Sequence, residues 1–166
     1  MVYLHRDPLV GGQPFANTES SAKHTLGLVV QGKDVTNNGG VGQFMYVQAS
    51  ASITQYDAVA IKHGFKAAQL TITNGKTAIE IGFAQVAVGT KGDYFWVMQG
   101  GRPIVRCANG TQPDVPLFAT ATGGVLDDVS SSVVIQGVQT VTQVTNSAGT
   151  ATCVARFPTA HHEPPG

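Results

Sequence analysis

The sequence predicts an all-β fold, a β-sandwich or jelly-roll-like barrel preceded by an extended N-terminal arm. Three observations carry that expectation. From Phe44 onward, short segments rich in Val, Ile, Thr, Phe and Tyr alternate with Gly, Asn and Asp at intervals of roughly ten residues, the texture of strands and turns. No window holds apolar residues at helical spacing through three turns, so no helix beyond a turn or two is expected. The stretch 92–128, GDYFWVMQGGRPIVRCANGTQPDVPLFATATGGVLDD, reads as strand, turn, strand, turn, strand and holds the only tryptophan, Trp96.

The elements follow in chain order. Residues 1–40 are broken by Pro8, Gly11, Gly12 and Pro14 and show no sustained period, so they read as an extended arm. Its apolar side chains, Tyr3, Leu4, Leu9, Val10 and Phe15, are too scattered to form a core of their own. They lie along the domain, insert into a neighbour, or belong to a loose terminus. A β body spans 41–157, with strands expected at 43–49, 57–62, 66–73, 78–88, 93–99, 102–108, 115–121, 133–137, 139–145 and 150–156. Hairpin turns are expected at Asn74-Gly75, at Gly100-Gly101 and from Asn146 to Gly149, where Gly and Asn supply positive φ. The Gly-rich run 39–42 also reads as a turn. Residues 158–166 form a flexible C-terminal tail. Along 94–98, Tyr94, Trp96 and Met98 face one side and Phe95 and Val97 the other, and both sides are apolar. Such a strand is either central in a two-layer body or covered by a partner. Thr140, Thr142 and Thr152, set against Val141, Gln143 and Val154, give the last hairpin a solvated or lightly covered face.

Composition narrows function. Only 12% of residues are Asp, Glu, Lys or Arg, against about a quarter in an ordinary soluble domain. A surface of Thr, Ser, Gly, Gln and Asn is cheap to desolvate under another protein, which favours an assembly subunit. Ten basic and ten acidic residues cancel, leaving no field to attract nucleic acid or anionic lipid. The N-terminus MVYLHRDPLVGG lacks a signal-peptide apolar region, and no apolar run approaches the roughly 18 residues of a membrane span. The expectation is a chain made in and retained by the cytosol. There, Cys107 and Cys153, far apart and without CxxC spacing, read as small buried hydrophobes, with a disulfide as the alternative.

Candidate chemistry is sparse. His161, His162 and Glu163 are adjacent on a Pro-flanked tail, a poor basis for closed metal coordination. Asp127-Asp128 reads as a turn pair capping backbone donors rather than an acid/base pair. The Gly-rich runs lack the helix and lysine of a phosphate cradle, and no serine sits in G-x-S-x-G. No catalytic, cofactor or metal residue is assigned. The aromatics Tyr46, Tyr56, Phe65, Phe83, Tyr94, Phe95, Trp96 and Phe118 read as core and interface anchors in preference to a sugar-stacking platform, with Tyr94, Trp96 and Phe118 foremost.

Four blocks carry a family resemblance: FMYVQASASITQYDAVAI at 44–61, IGFAQVAVGTKGDYFWVMQGG at 81–101, VPLFATATGGVLDD at 115–128 and IQGVQ at 135–139. In this order they resemble the capsid decoration, or cement, proteins of tailed bacteriophages, over about residues 43–157. The resemblance implies a small all-β structural protein without catalysis or cofactor. It implies assembly in the host cytoplasm onto the outside of a virion head, in contact with the major capsid protein and with its own copies as a dimer or trimer. The arm lies outside the resembling blocks. Its composition suggests that Tyr3, Leu4, Leu9 and Phe15 fill grooves between neighbours, with Arg6 and Asp7 setting register. Competing readings are a virion-displayed carbohydrate or host-surface module and a tail or baseplate component.

Overall fold

Alternation along two strands, β3 (Gly40–Ala49) and β7 (Tyr94–Gly101), sets the architecture, because each carries apolar side chains on both faces. The computed structural model describes residues 3–5, 15–34, 40–145 and 149–162. The fold is all-β. The other strands are β1 (Tyr3–His5), β2 (Val29–Asp34), β4 (Ala58–Lys62), β5 (Lys66–Gln69), β6 (Glu80–Ala84), β8 (Ile104–Arg106), β9 (Leu117–Ala119), β10 (Leu126–Asp127), β11 (Val133–Thr140) and β12 (Thr150–His162). A single-turn helix, α1 (Ile72–Gly75), lies between β5 and β6.

The sheet closes on itself. β3 pairs antiparallel with β7, β7 with β6, β6 with β4, and β4 with β5. β5 then returns parallel to the end of β3, at Gln48↔Lys66 and Ala49↔Ala67, which completes a β-barrel. The front half of β3 instead pairs with β2, whose own end pairs with β1. From β7 the sheet runs on through β12, β11, β9 and β10, while β8 pairs with the start of β12.

Period-2 alternation sorts the apolar residues into three cores. The barrel interior holds Met45, Val47, Val59, Ile61, Phe95 and Val97. On the outer side of β4 and β6, Ala58, Ala60, Ile81 and Phe83 form the floor of a second core roofed by Val105, Leu117, Leu126, Val133, Ile135 and Cys153. On the outer side of β3 and β7, Phe44, Tyr46, Trp96 and Met98 form a third. One polar knot ties the barrel to β8. The wholly buried Asp57 carboxylate accepts from Arg106 Nη1 at 2.5 Å, from Gln69 Nε2 at 2.6 Å and from the Thr54 amide at 2.7 Å.

Several local expectations need correction. Gly40 to Gly42 and Gly100-Gly101 are not turns but parts of β3 and β7. The reason is close packing: a Cβ on Gly42 would lie 2.5 Å from Met98 Cε and 3.0 Å from the Gly100 carbonyl. Asn74-Gly75 sits in α1 rather than a hairpin turn, because Thr71 and Asn74 form a reciprocal capping box. Segments 133–137 and 139–145 are not two strands: 133–140 is the single strand β11, bent by a bulge at Gly137. Residues 29–34, assigned to the arm, form β2 and pair with β3 throughout. The expected tail boundary at 158 falls inside β12, which pairs with β11 out to His162. The turn expected from Asn146 lies mostly outside the described residues.

Candidate interface

The face built on Trp96 is closed by the chain itself. Phe15, Leu26, Leu28 and Val30 pack over Phe44, Tyr46, Trp96 and Met98. Phe15 stacks on Phe44 at 4.2 Å between ring centroids and meets Trp96 edge-on at 5.2 Å. Tyr46 donates its hydroxyl to Glu19 Oε2 at 2.5 Å and accepts from the Lys23 amide at 3.2 Å, while Lys23 and Glu19 form an ion pair at 3.3 Å. Burial, reinforced by the Glu19 carboxylate, raises the Tyr46 phenol well above its ordinary range. The alternatives left open for this strand therefore resolve to a cover supplied by residues 15–30.

That placement corrects the expectation for Phe15. It is buried in this chain's own core, so its ring is not free to fill a groove between neighbours. Tyr3 and Leu4 lie in β1 opposite Asp34 and Lys33. Arg6, Asp7 and Leu9 fall outside the described residues. Trp96 is buried, Tyr94 is half-buried with its ring 6.0 Å from Tyr46, and Phe118 is half-buried on the face of β9 opposite to Leu117 and Ala119. Asp127 and Asp128 accept backbone hydrogen bonds from Asp128 and Gln112 at 2.8 and 2.9 Å, so both carboxylates serve loop geometry. Cys107 and Cys153 are free, buried thiols of the second core. The neighbouring Cys107 thiol, together with burial, pushes the Cys153 thiol far up. Among the described residues no group of three or more His, Cys, Asp or Glu is placed to hold a metal ion.

A different face stays open, and sequence reading missed it. Along β12, Ala151, Cys153 and Ala155 point inward while Thr152, Val154 and Arg156 are exposed. Simple alternation would bury Phe157. Instead its backbone takes a φ of +46°, opposite the Gly137 bulge in β11, so that Pro158 is buried and the Phe157 ring stands 53% exposed. A left-handed phenylalanine costs about 1–2 kcal/mol, a strain that persists only where the surroundings enforce it.

Three hollows meet around this bulge. One lies between β11 and β12 beside Val154 and Arg156. The second lies between Val41 and Gln43 of β3 and Arg156 and Phe157 of β12, with Gly100 and Gly101 also lining it. The third lies at the barrel mouth beside Val29, Glu80, Gln99 and Phe157. Val29, Val41, Val154 and Phe157 are all exposed, and among the described residues the ionisable ones lining the hollows are Arg156 and Glu80. Only one local signal pointed here: Gly137, a glycine inside a strand pattern, marks a bulge. No protein-family model matches the chain, and no curated protein matches it.

Proposed function

We propose that this chain is a structural virion protein that binds the outer surface of a phage head, bridging major capsid protein subunits and its own copies. The observation that carries the reading is the open face around Phe157. It is apolar, nearly free of ionised groups, and built on strands rather than loops, so covering it with protein releases water at little electrostatic cost. The resembling sequence blocks support the same reading by a separate route. They fall mainly on β3, β4, β6 and β7 and on the β9–β10 hairpin, which are core strands. They bear on the shared body, whereas binding is assigned to the neighbouring exposed rows. A subunit that spans two capsid proteins contributes free energy only in the closed shell, and many symmetric copies raise the resistance to rupture together.

Co-sedimentation with purified heads tests this. The folded chain should saturate the heads, and Phe157→Asp should reduce occupancy at least about tenfold, since a carboxylate in a covered apolar contact is strongly disfavoured. Equal occupancy by the two proteins, or no binding by either, would sink the proposal.

A further inference from the structure

The hollow at the barrel mouth is more than an apolar dent. It encloses about 250 Å³ between Val29, Met45, Glu80, Gln99, Phe157 and Thr159. Glu80 and Gln99 occupy the inward-facing rows that carry Ala84 and Val97 deeper in the barrel. Gln99 is only 1% exposed, and its amide nitrogen donates to Glu80 Oε2 at 2.5 Å. A carboxylate only accepts, so the amide cannot be turned over without setting oxygen against oxygen. Its orientation is fixed, and the amide oxygen Oε1 is buried without a hydrogen-bond partner. Such an orphan acceptor is costly unless a donor arrives. Glu80, half-buried beside it, forms no ion pair among the described residues.

We propose that this hollow receives the cationic side chain, lysine or arginine, of a neighbouring polypeptide. The Glu80 carboxylate selects a charged donor and rejects carboxylate or phosphate. The walls suit the rest of such a side chain. Val29 and Met45 offer apolar surface to an aliphatic stem, and the exposed Phe157 ring offers a face to the cation. Thr159, exposed at the rim, supplies a further hydroxyl. The Phe157 strain acquires a second role here, since the same outward turn that opens the face brings the ring to this hollow. This inference does not rest on the capsid reading, because the hollow belongs to the folded chain whichever polypeptide supplies the cation.

The test is a nuclear magnetic resonance titration of the labelled protein with Nα-acetyl-arginine methylamide and Nα-acetyl-lysine methylamide. The uncharged norleucine analogue and magnesium chloride serve as comparisons. The cationic compounds should shift the Gln99 side-chain amide signals in a saturable manner while the comparisons leave them in place. Glu80→Gln, which keeps an acceptor for the Gln99 amide, should weaken binding about tenfold or more, the loss of one charge-assisted hydrogen bond. No shift with either cation would overturn the assignment. So would equal shifts with norleucine or magnesium, or undiminished binding by a folded Glu80→Gln variant. The unmodified protein alone decides between cation and norleucine, so the proposal stays falsifiable even if the variant does not fold.

Discussion

Two apolar surfaces flank the barrel, one centred on Trp96 and the other on Phe157, and they differ in what lies over them. The first has the larger rings and is sealed by residues 15–30, with a polar clasp of Tyr46, Glu19 and Lys23 at its edge. The second has one ring and several valines and is left open. Composition would rank them the other way, since the cluster richest in aromatics is the usual candidate for a partner surface. The difference teaches that backbone register decides which apolar side chain meets solvent. Trp96 obeys the alternation of β7 and finds a cover within the chain. Phe157 escapes the alternation of β12 through a positive φ and finds none among the described residues.

The contrast can be broken at its strongest point first. Trp96→Ala should destabilise the fold by about 3–5 kcal/mol, as loss of a buried aromatic does, read as a lowered midpoint in urea unfolding. Leu26→Ala, in the half-buried cover, should follow at about 2 kcal/mol, the low end for such truncations. Phe157→Asn should act in the opposite sense. Asparagine tolerates left-handed backbone, so the variant should gain up to about 1 kcal/mol in the same unfolding measurement while losing occupancy on heads. A Trp96 variant that melts unchanged, or a Phe157 variant that unfolds early, would erase the distinction between the sealed and the open face.

Much of the strand content was legible because alternation is a local signal. Residues 94–98 declared both of their faces, and 44–49 did the same for the strand opposite. Closure of the barrel was not legible. It depends on a parallel pairing of Gln48-Ala49 with Lys66-Ala67, too short to leave a pattern in the sequence. The glycines misled for a related reason. Gly42 and Gly101 look like turn residues, yet they let two strands and Met98 approach closely, which is a tertiary demand. Val29–Asp34 resembles the arm in sequence because, rich in Gly, Gln, Lys and Asp, it has weak strand propensity and is held by its pairing to β3. The open face was invisible because it rests on one dihedral angle. The Glu80–Gln99 hollow was invisible because its members come from β6 and β7 and meet only at the barrel mouth.

The Asp57 knot has a wider consequence. Its carboxylate gathers a loop amide, a β5 side chain and a β8 guanidinium at one point, and the core beneath β11 and β12 uses the barrel's exterior as its floor. The outer core has no floor of its own, so it cannot persist once the barrel has melted. Melting of the barrel therefore takes the outer layer with it, and Asp57, bonded to Gln69 of the barrel and to Arg106 of β8, couples the two.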